Sequence, residues 1–287
     1  MCKYLYHYTT LDVLQDIFND PKGKFIELRL KDYHFLNDED EGNWLVRFMD
    51  ECRNKIVAKF DENEKFVCNK AIKDFVEYGC YRMCRDEQED KHYSFSMSEL
   101  EDSMLFWRQD YAKNKGIALC TEKKDFEKKS KQKVEQVRYL DVDTVKDILP
   151  FFANAIREDS EYIRNRSDLR KNGSDMLEGE RSLENTDFLR IKNGTWRQEK
   201  EWRIIITEKR GFSKVSANKN EKKKLAKKSN VIIDENFIPR YRLKMRNPFS
   251  RIILGPSISG CYVDSVQKWF DRKGYEITVS KSLGHER

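Results

Sequence analysis

The chain has 287 residues, enough for one large domain or two small ones, and its 38% hydrophobic and 12% aromatic content excludes global disorder. Charged residues reach 37%, with a net charge of +6 and an isoelectric point near 8.7, so the surface is dense in charge and suits an anionic partner. No apolar run approaches the ~18 residues needed to cross a bilayer.

In chain order, Tyr4–Tyr8 alternates and is aromatic, as a strand would be, and Leu11–Phe18 reads as a short helix that Thr9 or Thr10 could cap. Residues 21–36 are punctuated by Pro and Gly, then extended. From Asn43, apolar residues recur at Trp44, Leu45, Phe48, Met49, Cys52 and Ile56 with helical spacing, and Phe66–Met83 reads as a second long helix. His92–Met97 is strand-like, with Tyr93 and Phe95 on one face and Ser94 and Ser96 on the other. Asp102 or Ser103 then caps a helix carrying Met104, Trp107 and Tyr111, ended by Gly116. Strands follow at Ile117–Cys120 and Val134–Val142, a helix over 145–166 and a polar loop over 167–187. Trp202–Thr207 has a strong strand signature, 214–230 is a basic insertion, and Arg251–Leu254 is a buried-type strand. Asp264 caps a helix with Val266, Trp269 and Phe270 inward, and Tyr275–Ser280 is the last strand. Strands and helices mix without regular βαβ alternation, which predicts an α+β fold.

No GxxxxGK[ST], GxGxxG or HExxH is present. The seven cysteines, Cys2, Cys52, Cys68, Cys80, Cys84, Cys120 and Cys261, are odd in number and scattered, which suits a reducing cytoplasm. Cys68, Cys80, Cys84 and His92 fit no usual zinc spacing, so no metal is expected. The N-terminus, MCKYLYHYTT, is expected to carry no signal peptide.

Three features carry chemistry. His7-Tyr8-Thr9 closes the first strand, and a His there can donate from one ring nitrogen while the other is fixed by a neighbour. Ser94, Phe95 and Ser96, followed by Trp107 and Tyr111 at helical spacing, can wall a pocket for a flat ring, or can be ordinary core. Glu199 and Glu201 enter an apolar strand; in extended geometry they point to the same side, and a carboxylate there can stabilise a developing cation, or can pair with Lys200, Arg203 or Arg197.

The order HYTT, FLND at 35–38 with Glu41, SFS, Trp107 with Tyr111-Ala112 and Gly116, ExEWR at 199–203 and IILGP at 252–256 resembles a widespread bacterial family of uncharacterised domains. That family is similar in layout to ADP-ribosyltransferases. The resemblance implies a single domain over 1–287 built on a split, mixed β-sheet with several peripheral helices, a helical insertion about 43–84 and a basic loop about 212–230. It implies NAD as substrate. His7, with Tyr8 and Thr9 beside it, would bind the nicotinamide ribose, Glu201 would stabilise the oxocarbenium ion, and Glu199 would help position the acceptor. The aromatic that lines the nicotinamide is open between Phe95, Trp107 and Tyr111, with Ser96 on the strand below. The activity expected is ADP-ribose transfer to a macromolecule, with nucleic acid as the partner and RNA ahead of DNA, by a toxin of phage defence or of a toxin–antitoxin pair. NAD hydrolysis or a non-catalytic nucleic-acid or protein-binding module are the alternatives.

Overall fold

A computed structural model describes residues 3–33, 41–58, 91–108, 115–141, 188–208 and 230–284, together with isolated helical positions between 62 and 76. The expected helix over 66–83 is described only at a few of those positions. The helix over 145–166, the loop over 167–187, the FLND motif, Tyr111 and nearly all of the basic insertion lie outside the described residues.

The chain groups into two compact units. The first comprises Met1–Leu36, Lys91–Val137 and Arg197–Arg287; the second comprises Asn37–Asp90 and Arg138–Trp196.

In the first unit, strands β1 (Tyr4–Thr9), β2 (Phe25–Asp32), β3 (Lys91–Ser98), β4 (Ile117–Glu122), β5 (Glu135–Gln136), β8 (Glu201–Glu208), β9 (Val231–Ile233), β10 (Pro239–Arg246), β11 (Phe249–Leu254) and β12 (Thr278–Lys281) form one sheet. Its order is β12-β11-β4-β1-β3-β2-β10-β9, and β8 pairs with both β3 and β5. The pairings are antiparallel except β11–β12, so the fold is α+β on a mixed, largely antiparallel sheet. The parallel pair needs a crossover, and a helix over Cys261–Lys273 supplies it. The other α-helices described in this unit are Leu14–Ile17, Met104–Arg108 and Lys123–Ser130.

β4 shows why the sheet holds together. Ile117, Ala118, Leu119 and Cys120 are all almost fully buried, a run rather than an alternation, because layers cover both faces of this strand. On one face Leu119, Leu5, Phe95, Ile204, Leu28 and Ile252 join Phe126 and Phe270 in the main core. On the other, Ala118 and Cys120 join Tyr6, Tyr8, Phe106, Trp107 and Ile253 in a smaller cluster.

In the second unit, helices over Glu41–Glu51 and Arg53–Val57 bury Leu45, Phe48, Met49 and Ile56 with Leu140 and Ile191. The last two come from β6 (Arg138–Leu140) and β7 (Ile191–Asn193), a parallel pair. The single strand expected over Val134–Val142 is thus β5 and β6, which belong to different units. Among the described residues no helix is long and apolar enough to cross a membrane.

Candidate functional site

The sequence enters β8 through a 3-10 turn, Gly194–Glu199, followed by Lys200 with φ at 44°. That left-handed residue breaks the extended run, so Glu199 and Glu201 do not share a strand face as expected; Glu199 stays in the turn. The reason is local: Lys200 donates its backbone N–H to the Arg197 carbonyl and accepts from Glu99. Glu201 begins the strand and is 6% exposed. Two residues on, and therefore on the same face, Arg203 is 1% exposed. Its Nε and Nη2 donate to the two carboxylate oxygens of Glu201 at 2.6 and 2.9 Å, a bidentate pair.

Across the ladder Ser98 stands opposite Glu201, and Ser96 opposite Arg203. The Ser98 hydroxyl donates to the Glu199 carbonyl at 2.6 Å and accepts from the Leu100 N–H at 3.0 Å, tying the turn to the end of β3. Ser94, on the same side of β3, keeps a buried hydroxyl with no hydrogen-bond partner among the described residues. Trp202 points the other way from Glu201, and its Nε1 donates to Glu99 at 2.8 Å.

His7 Nδ1 lies 2.7 Å from the Ser96 carbonyl. A carbonyl can only accept, so Nδ1 carries the proton and Nε2 is left with its lone pair. The ring stacks on Phe95 at 4.1 Å. Burial pushes its pKa down to about 4, against an opposing effect of the Ser96 carbonyl, so His7 is neutral at physiological pH. Phe95 belongs to the main core with Ile204, while Glu201 and Arg203 alternate onto the opposite face. The ladder therefore sets His7 and Glu201 on opposite sides of the sheet. Beyond the single pair Tyr6–Ser98, β1 and β3 part, and the His7–Ser96 hydrogen bond borders that parting.

Alternation likewise separates Tyr8 from His7. Tyr8 donates its hydroxyl to the Leu100 carbonyl at 2.7 Å and accepts from the Ser103 N–H at 3.0 Å, and burial raises its pKa. Its ring packs on Phe106 and Trp107. Trp107 is fully buried and donates to Asp102 at 2.8 Å, so it offers no open ring face to a flat ligand in this conformation. Thr9 pairs with Ile117 at the end of β1, beside a shallow depression lined by Thr10, Leu11, Asp12, Gln15 and Lys115.

Sequence reasoning missed a row that crosses five strands on the Glu201 face. The registers run Arg251, Cys120, Tyr6, Ser98, Glu201. Tyr6 donates to Glu101 at 2.8 Å, and Arg251 pairs with the same carboxylate. Nothing local signals it, because its members come from five separate segments. Arg203 was legible as one possible partner of Glu201. Among the described residues no group of three or more His, Cys, Asp or Glu could hold a metal; Cys68, Cys80 and Cys84 lie outside them. His92 Nδ1 meets the Thr207 hydroxyl at 3.0 Å.

Fold and site together define an α+β protein with a buried, ion-paired carboxylate at the head of an inner strand. A family model described as "Protein of unknown function (DUF2971)" matches residues 106–204, a span that takes in Trp107, Glu199, Glu201 and Arg203 but not His7 or the IILGP segment. No curated protein and no solved structure matches the chain.

Proposed function

We propose that the chain cleaves NAD and transfers ADP-ribose to a macromolecule, with Glu201 as the charge-stabilising group. The observation that carries this reading is the Glu201 carboxylate, buried at the head of β8 and held in one orientation by both prongs of Arg203. In this reaction the bond between ribose C1′ and nicotinamide breaks, and its electron pair leaves with nicotinamide. The ribose then carries positive charge, an acceptor lone pair attacks C1′, and the acceptor gives up a proton. A carboxylate fixed in advance stabilises that charge without reorganising. His7, neutral and hydrogen-bonded through Nδ1 to the Ser96 carbonyl, lies on the opposite side of the sheet from Glu201, so this reading rests on Glu201 and not on His7. The acceptor in this reading is nucleic acid, RNA ahead of DNA, in a cytoplasmic toxin held in check by an antitoxin.

One observation favours a second reading, a binding module without catalysis: the same bidentate contact would also serve as a purely structural ion pair. Glu201→Gln separates the two when its stability is repaired. Removing one member of a buried pair costs about 3–5 kcal/mol, whereas replacing both by packed neutral groups is often neutral. Glu201→Gln/Arg203→Met should therefore melt near the wild type, yet release nicotinamide from NAD about 100- to 1000-fold more slowly. A stable double variant with wild-type release would leave the pair structural.

A further inference from the structure

The β2–β10 ribbon presents a face that the main core does not use. On β10, Tyr241, Leu243 and Met245 pack toward the core, so Arg240, Arg242, Lys244 and Arg246 alternate onto the outer side. On β2, Ile26, Leu28 and Leu30 are core, and Arg29 and Lys31 take the outer side with Glu27. The register sets Arg240 opposite Lys31 and Arg242 opposite Arg29. Like charges directly opposite one another destabilise an antiparallel pair, so two such pairs side by side serve something other than the sheet. Burial and the neighbouring Arg240 charge hold the Lys31 ammonium below its usual pKa.

Carboxylates offset only part of this charge. Arg240 pairs with Asp234 at 2.8 Å, Arg242 with Glu27 at 2.5 Å and Arg29 with Asp16 at 3.0 Å. Asp20, which accepts from the Phe25 N–H and feels the Lys244 charge, is a fourth carboxylate at the end of the ribbon. Among the described residues six cations thus face four carboxylates, and Arg29, Arg242, Lys244 and Arg246 are exposed. Successive cations on β10 stand about 7 Å apart along the strand, within the reach of one nucleotide of an extended chain. At the end of the ribbon Phe25 is 39% exposed on this same side, with Lys244 Nζ 5.8 Å from its ring. A line of cations ending in an open aromatic is what a single strand uses, phosphates along the line and a base on the ring.

We propose that the outer face of the β2–β10 ribbon binds single-stranded nucleic acid through its phosphates, with Phe25 as a stacking platform. This extends the nucleic-acid acceptor of the proposed function, and it stands without any NAD chemistry. The register carries the face onward: Lys31 lies opposite Ser94, and Ser94, Ser96 and Ser98 lead along β3 to the position opposite Glu201. A strand bound on the ribbon is therefore on the same side of the sheet as the proposed catalytic carboxylate.

The test uses the full chain, without NAD, and a labelled oligouridylate of about 16 nucleotides followed by anisotropy across a salt series. Each phosphate neutralised on a single strand contributes about −0.7 to the slope of log affinity against log salt. Lys244→Gln/Arg246→Gln removes two exposed charges and should flatten the slope by about 1.4, weakening binding about 25-fold at ~0.1 M salt. Lys124→Gln/Lys128→Gln removes the same charge from the exposed side of the Lys123–Ser130 helix, whose Phe126 packs on the core face, and should change affinity less than twofold. Phe25→Ala should weaken binding without changing the slope. Equal losses in the two double variants, or an unchanged slope in the first, would overturn the proposal. So would tighter binding of a duplex of the same length, or a Lys244/Arg246 dependence seen only with phosphatidylserine vesicles. Nicotinamide release measured on the same variants keeps the two readings apart, since a chain that binds RNA normally but releases none fails the NAD reading alone.

Discussion

At the scale of single residues, the stability of this protein responds to charge in two opposite ways. Glu201 and Arg203 are both buried, and their mutual ion pair helps offset the cost of taking each charge out of water. His7 is tolerated because it is neutral. Its pKa falls from 6.5 to about 4 on folding, so between those values the unfolded chain binds the extra proton. Stability from this residue is therefore complete above about pH 6.5 and is lost as pH drops toward 4. The loss is at most about 3 kcal/mol, and less to the extent that the ring remains solvated. Urea midpoints measured from pH 7 to pH 4 should fall for the wild type and fall less for His7→Phe; parallel curves would mean that His7 titrates normally.

At the scale of elements, the turn chemistry differs from the expected caps. Neither Thr9 nor Thr10 caps the first helix, which is only Leu14–Ile17 and has no side-chain cap, because Thr9 remains paired with Ile117 in β1. The C-terminal helix starts after Gly260, placing Asp264 in its first turn rather than at the cap. It ends on Gly274 at φ 74°, whose N–H reaches Asp271 while that of Tyr275 reaches Phe270. Gly23, at φ 64°, sits against that turn: a Cβ there would lie 2.3 Å from the Lys273 carbonyl oxygen. At Gly274 a Cβ would meet nothing nearer than 3.7 Å. Both substitutions to Ala carry left-handed strain of about 1–2 kcal/mol, but only Gly23→Ala adds a backbone collision. Denaturant midpoints should drop clearly further for Gly23→Ala than for Gly274→Ala, and equal drops would mean the loop yields freely.

At the scale of the whole molecule, the chain leaves and re-enters its units: three segments make the first and two make the second. Within the first, β4 is flanked by β1 and β11 and covered on both faces, while β9 is a three-residue edge strand. Backbone amides of Ile117–Cys120 should exchange with solvent only on global unfolding, and those of Val231–Ile233 by local opening many times faster. Comparable rates in the two strands would contradict the layering described for the sheet.

Much of this was legible in the sequence. The alternation in HYSFSM put Tyr93 and Phe95 on one face and the serines on the other, as they stand in β3, and the apolar runs of WRIIIT and RIIL marked β8 and β11. Composition, period and residue polarity are local properties, and local periodicity is enough to place a strand and sort its two faces. The charged alternation of β10 passed unread, because its cations masked a half-buried strand. Which strand lies beside which is not local, and the tertiary structure alone decided it. The β3–β8 ladder put Arg203 and Glu201 on the side away from Phe95 and His7, and the β2–β10 ladder set Lys31 against Arg240. A shift of either register by one residue would turn every one of those side chains to the other face. The sequence by itself thus determined which residues could do chemistry, and the pairing of distant strands determined which of them share a surface.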